Sequence, residues 1–186
     1  MMTTPTTRER ILNAAFALFY KGGFHATGVD RVVEAAGVTR MTLYKYFPSK
    51  EDLIVAVLER RNVQWMEWFK QRVEALAVEP KERLLAIYDA LLEWFSEEDF
   101  CGCAFINAAA EFSSREHPAH RIAADHVRGI RAYIYELCLE SGVKEAQSLA
   151  TQLTLLVDGA VVVAYVGGDL QCATLAKEAA RTLLEA

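Results

Sequence analysis

Apolar residues recur along this chain at intervals of three and four, the spacing that lays one face of a helix on a core. Ile11, Leu12, Ala15, Phe16, Leu18 and Phe19 form the first stripe, with Thr6 or Thr7 placed to cap it and Gly22-Gly23 to end it. Val29, Val32, Val33 and Ala36 fall at i, i+3, i+4 and i+7 of a second, short helix closed by Gly37. Thr39 is a good N-cap for a third, Arg40 to Phe47, pinned by Leu43 and Phe47. Pro48-Ser49 opens a long fourth helix reaching about Ala77, with Ser49 as N-cap and Asp52 three residues on. Further helices are predicted from Pro80 to the acidic run Glu97–Asp99, over Ala104–Ser113, and from Pro118 to Ser141-Gly142. Val143–Val166 and Leu170–Ala186 complete the set, split by Gly167-Gly168. No useful stretch alternates as a strand does, so the predicted class is all-α.

The segment Val29–Leu53, VDRVVEAAGVTRMTLYKYFPSKEDL, carries the most chemistry. Two short helices joined by one sharp turn read as a helix-turn-helix. With Leu43 and Phe47 turned inward, Arg40, Met41, Tyr44 and Lys45 face outward and Thr42 lies at the edge. A short anchored helix presenting basic, hydroxyl and aromatic groups suits a DNA major groove. Arg40 or Lys45 can donate to guanine O6 and N7. Thr27 and Lys50, near the starts of the flanking helices, are expected at phosphates, and Tyr46 is a further phosphate candidate.

This string resembles the TetR family (TetR/AcrR) of bacterial transcriptional regulators. Gly-Val-Thr at 37–39, Thr-Leu-Tyr at 42–44, Phe47 and Ser-Lys-Glu at 49–51 fall in the family's order and spacing, and the likeness covers roughly residues 8–56. Met41 stands where a small residue is common and Tyr46 where His is frequent, two departures that bear on which operator is read. The resemblance implies an N-terminal three-helix helix-turn-helix domain, residues 1–49. A larger helical ligand-sensing and dimerisation domain, residues 50–186, would follow it. It also implies a homodimeric repressor on palindromic operator DNA, released by a small, largely apolar inducer.

Composition changes the picture in one respect. The net charge of −5 suits a DNA binder poorly until it is divided. Residues 1–50 hold seven Lys/Arg against three Asp/Glu, a balance of +4, and the other 136 residues carry −9. A basic head on an acidic body points DNA contact to one end of the molecule. At 53% hydrophobic over 186 residues the chain is long and apolar enough for proper cores. The longest apolar stretch, Leu153–Val166, is interrupted by Thr154, Asp158 and Gly159, so no membrane span is expected. The first ten residues lack a secretory apolar core, and four cysteines without a framework spacing suit a reducing compartment; a cytoplasmic location is expected.

The body is rich in large aromatics, which line pockets for flat apolar ligands and equally fill helical cores. Trp65, Trp68, Phe69 and Tyr88 are candidate ligand contacts, together with Leu92, Phe95, Phe105 and Tyr165. Asn107, Glu111 and Asp158 lie within apolar helices as candidate polar anchors. A ligand there could tilt the long helix Lys50–Ala77 and so change the separation of two recognition helices, which DNA requires at about 34–36 Å or a multiple. The stripe Leu149, Leu153, Leu156, Val157, Ala160, Val161, Ala164 and Tyr165 and its counterpart Ala173, Ala176, Ala179, Ala180, Leu183 and Leu184 either close the chain's own core or, as the resemblance implies, build a four-helix dimer seam with a second subunit; the seam is expected.

Cys101 and Cys103 precede an Asn-containing helix in CGCAFINAAAEF. A thiol at a helix start can become reactive, although the acidic run 97–99 opposes it. A repressor switched by oxidation of Cys103 is therefore one alternative, and a small helical thiol-redox enzyme a remoter one. A metal site would need His117, His120 or His126 to complete the pair, and neither a metal nor a cofactor is expected. The chain has no phosphate-cradling glycine loop, nucleophile elbow or His-Glu-x-x-His, and no catalytic residue is assigned.

Overall fold

The computed structural model describes residues 5–185, and all regular structure among them is helical. In chain order the helices are α1 (Thr7–Gly22), α2 (Val29–Ala36), α3 (Arg40–Tyr46), α4 (Lys50–Leu76), α5 (Pro80–Phe95), α6 (Ala104–Glu111), α7 (Pro118–Glu140), α8 (Ala146–Gly167) and α9 (Cys172–Glu185). Three starts, those of α1, α3 and α4, have a side-chain cap. Thr6 and Glu9 form a reciprocal capping box, with Glu9 N–H donating to Thr6 Oγ1 at 3.2 Å and Thr6 N–H donating to Glu9 at 2.7 Å. The amide and then the hydroxyl of Thr6, both donating to Glu9 Oε2, hold its carboxyl below its ordinary range. Thr39 caps α3 and Ser49 caps α4, each accepting the amide three residues on. Gly37 ends α2 in the left-handed conformation at φ 60°, where a side chain would be strained. The last two helices begin two or three residues later than the apolar pattern suggests, at Ala146 and Cys172.

The chain divides into two compact units. One comprises Met1–Asn62 with Ala104–Ala124, the other Val63–Cys103 with Asp125–Ala186. This differs from the expected boundary at residue 49. The beginning of α4, all of α6 and the first turns of α7 belong with the helix-turn-helix. Long-range contacts in this first unit explain why. Phe24 meets Phe112 edge-on with ring centroids 6.0 Å apart. The Glu111 carboxylate accepts the amides of Phe24 and His25 at 2.8 and 2.7 Å. Lys50 Nζ donates to His25 O at 3.0 Å, and His117 Nε2 lies 3.0 Å from Glu51. The core of this unit is Ile11, Leu12, Ala15, Phe19, Val32, Leu43, Phe47 and Leu53, all buried.

In the second unit α5, α8 and α9 pack on one another. The stripe Leu149, Leu153, Val157, Ala160, Val161 and Ala164 of α8 is buried there, as are Ala173, Ala176 and Ala180 of α9. These residues close the subunit's own core, which corrects their expected place in the dimer seam. The exposed side of α8 is apolar over Leu155, Val162, Val163, Tyr165 and Val166, whereas that of α9 carries Leu175 among the polar Thr174, Glu178, Arg181 and Thr182. By length and composition α8 could cross a membrane. Its composition follows from having one apolar face in the core and another at the surface.

Candidate nucleic-acid interface

The third helix has seven residues, too few to hold without tertiary contacts. Leu43, fully buried, and Phe47 anchor it, and Arg8 lies over the Phe47 ring at 5.4 Å. The remaining face is turned outward. Met41 is 83% exposed, and Arg40, Tyr44, Lys45 and Tyr46 are exposed as well. Thr42 is half-buried, its hydroxyl 2.9 Å from that of Thr39. The guanidinium of Arg40 is held by the carboxylate of Asp30 on α2, Nε to Oδ1 and Nη2 to Oδ2, both at 2.5 Å. That pair lowers the Asp30 carboxyl and raises the guanidinium from their ordinary ranges. Six side chains of this face therefore reach the surface, five of them exposed and Thr42 half-buried.

Thr27 departs from expectation. It is 0% exposed and donates to Leu18 O at 3.2 Å, so it ties the α1–α2 connection to α1. A hydroxyl with no surface cannot reach a phosphate; the start of α2 is left with the exposed Gly28 and no side-chain cap. Lys50, expected at a phosphate, is half-buried with its ammonium on His25 O.

The predicted ligand contacts fall into both units. Phe105, Asn107 and Glu111 are on α6, in the first. Glu111 is occupied by the two amides of the α1–α2 connection, a pairing 86 and 87 residues apart that no local pattern announces. Trp65, Trp68, Phe69, Tyr88, Leu92, Phe95, Asp158 and Tyr165 are in the second. There Trp65 stacks on Phe69 with centroids 4.7 Å apart and meets Trp94 and His126 edge-on at 5.3 and 5.0 Å; Trp68 lies 6.1 Å away. Tyr88 donates to Leu153 O at 3.2 Å, and Phe95 packs on Phe100. Leu92 is half-buried, and Tyr165 is exposed, with Phe100 edge-on to its ring. Burial pushes the Asp158 carboxyl above the ordinary carboxylate range. Among the described residues, two buried donors in this unit have no hydrogen-bond partner, Trp65 Nε1 and Tyr133 Oη. Burial pushes the Tyr133 hydroxyl up to about 12. Tyr133 was not among the expected contacts, and its place beside Phe69, 6.0 Å between centroids, is set by tertiary packing.

Cys101 and Cys103 are half-buried on either side of Gly102. Gly102 has φ 77°, and a Cβ there would stand 2.8 Å from the Tyr165 ring, so this passage needs glycine. Cys138 is buried, which pushes its thiol up to about 11, and Cys172 donates to Ala160 O. The histidines weighed as metal ligands have other neighbours: His117 has Glu51, His120 Nδ1 lies 2.8 Å from Phe112 O, and His126 packs on Trp65.

A buried two-residue anchor, an exposed basic and aromatic face, and a glycine turn before them define a helix-turn-helix DNA-binding protein. Residues 11–57 match the bacterial regulatory proteins of the TetR family, and residues 80–180 match the tetracyclin repressor-like C-terminal domain. The chain belongs to the TetR family and is a DNA-binding transcriptional regulator. It is similar to the HTH-type transcriptional regulator YjdC of Escherichia coli strain K12, 26% identical over 152 residues, covering 82% of this chain and 80% of that one. The HTH-type transcriptional repressor NemR of the same strain is 27% identical over 141 residues, 75% of this chain and 70% of the other. Among solved structures, the TetR-family regulator SCO4454 of Streptomyces coelicolor superposes with a TM-score of 0.86 at 28% identity, covering 96% and 94% of the two chains.

Proposed function

We propose that the protein is a homodimeric repressor that binds a two-fold operator through α3 and is released by a small aromatic or alicyclic inducer carrying hydrogen-bond acceptors. The observation that carries the DNA reading is the sidedness of α3: Leu43 and Phe47 inside; Arg40, Met41, Tyr44, Lys45 and Tyr46 outside. Arg40 and Lys45 are assigned to base edges, with Met41, Thr42 and Tyr44 beside them. Tyr46 and Lys50 are assigned to phosphates. Repression is the sign the related NemR carries in its name. The dimer is assigned to the exposed apolar face of α8, flanked by Leu175 of α9, since a two-fold site calls for a two-fold protein. Such a regulator works in the cytoplasm, where the DNA is.

The inducer reading rests on the two orphaned donors among stacked aromatics. A buried N–H or O–H without a partner costs about 1–3 kcal/mol, and a ligand with acceptor oxygens at Trp65 Nε1 and Tyr133 Oη removes that cost. Differential binding of this kind shifts an equilibrium: a hundredfold preference for the non-binding state is about 2.7 kcal/mol. The transmission of that shift is assigned to the fourth helix, Lys50–Leu76, whose residues fall in both units. DNA fragments selected by the purified protein from a random pool test the proposal. A palindromic consensus is expected, bound by dimers, with aromatic acids and phenols screened for simultaneous tryptophan quenching and release. A consensus without two-fold symmetry would overturn the dimeric reading. Quenching without release would overturn the inducer site.

A second reading, a thiol switch at Cys103, is favoured by one placement. Cys103 immediately precedes α6, whose last residue is Glu111, the carboxylate that binds the Phe24 and His25 amides. A Cys103→Ser variant that keeps its inducer response while losing release by oxidants separates the two inputs.

A further inference from the structure

We infer that Asp30 is a specificity-determining residue of the operator interface, acting by orienting Arg40. This inference rests on the assignment of Arg40 to a base edge.

Asp30 sits in the first turn of α2 and Arg40 at the first position of α3, so both backbones are fixed by helix starts, the second capped by Thr39. The two side chains meet across the helix-turn-helix in a planar, two-bonded pair. Both are largely exposed, with 69% and 64% of their side-chain surface accessible. An exposed ion pair contributes little to folding, so stability alone gives no reason for this geometry.

Its consequence lies in which edge of the guanidinium is used. Asp30 takes Nε and one hydrogen of Nη2, leaving the end-on edge, Nη1 and the second hydrogen of Nη2, for two parallel bonds. Guanine presents two acceptors, O6 and N7, at the spacing that edge requires. An unheld arginine on an exposed helix can swing to the nearest phosphate, which gives affinity without sequence information. The Asp30 carboxylate opposes that in two ways. It restricts the guanidinium to one plane, and its negative charge is repelled by phosphates, which weakens binding to arbitrary DNA. A neutral, oriented pair thus exchanges general affinity for discrimination at one base pair in each half-site.

The test uses operator DNA selected by the unmodified full-length protein and all single-base replacements of it, with Arg40→Ala, Asp30→Asn, Asp30→Glu and the double variant D30N/R40A. Arg40→Ala is expected to relax one symmetry-related pair of positions. Asp30→Asn is expected to relax the same pair, with discrimination there lowered about tenfold, while binding unrelated DNA more tightly. The double variant should match Arg40→Ala at that position. Asp30→Glu keeps the charge and displaces the guanidinium, so it should change the base preferred there; this variant carries the test if Asp30→Asn does not fold. Two results would overturn the role of Asp30 while leaving that of Arg40. One is uniformly tighter binding by Asp30→Asn with discrimination unchanged; the other is relaxation at a different position. If Arg40→Ala relaxes no position, the base assignment of Arg40 fails and that of Asp30 with it.

Discussion

Glu111 offers the sharpest measurement of how the DNA-binding unit is held together. Its carboxylate accepts the amides of Phe24 and His25 at 2.8 and 2.7 Å, and Phe24 is 2% exposed. Replacing Glu111 by Ala removes two hydrogen bonds to an ionised acceptor and leaves the Phe24 amide shielded from water. A charged hydrogen bond contributes about 1.5–3 kcal/mol and an orphaned buried donor costs about 1–3. The two describe overlapping parts of one loss, and the His25 amide is exposed enough to recover a water, so the expected destabilisation is about 2 kcal/mol. For a chain of this length that corresponds to a fall in melting temperature of about 4–8 °C. Glu111→Gln keeps a neutral acceptor and should lose roughly half as much. Gly23 cannot compensate by gaining a side chain, because its φ of 83° lies where a Cβ is strained. The local readout is amide hydrogen exchange: protection at Phe24 should fall in the Ala variant while that at Leu43 or Ile87 follows only the global change. An Ala variant that melts within 1 °C of the parent (a margin of about 0.3 kcal/mol) with the Phe24 amide still protected would refute this account. Glu111 would then be free for the ligand role first expected of it.

Three further outcomes are expected. Leu155→Arg or Val163→Arg should give folded monomers by sedimentation, because these side chains are exposed on each subunit, whereas Arg at the buried Val161 or Ala176 should unfold the subunit itself; folded dimers in the first pair would exclude this seam. Lys50→Ala should weaken binding to all DNA sequences alike and flatten the salt dependence, with a slope change of about one in a log–log titration; an unchanged slope would leave the ammonium only its bond to His25 O. Burial raises the folded-state Asp158 carboxyl above its unfolded value, so its contribution to stability falls as pH rises through that window and stays low above it. Asp158→Asn should therefore be the more stable protein at neutral pH in denaturant titrations, with the difference shrinking as pH drops to the unfolded carboxylate range; equal stability at pH 7 would count against a buried charge.

What the sequence determined by itself was local. Helix starts are written in side chains that bond their own backbone, as with Thr6, Thr39 and Ser49, and ends in glycines such as Gly37, so these boundaries are legible residue by residue. The inward pair Leu43 and Phe47 follows from helical spacing, and it fixes which side chains α3 turns outward. Periodicity shows that a face is apolar and says nothing about what covers it. Only tertiary structure decided that the small-residue stripe of α8 lies in the subunit core and that Leu155 and Val163 lie outside. The same holds wherever partners lie on different elements. Thr27 has the residue type and the position of a phosphate ligand, and is turned inward to Leu18. Glu111 looks like a ligand anchor and is taken by amides 86 and 87 positions away. Asp30 reads as one acidic residue in a helix's first turn until α2 and α3 pack and Arg40 arrives beside it. Local bonds depend on neighbours the chain supplies at fixed spacing; these three depend on which surfaces meet when the helices pack, and spacing does not encode that.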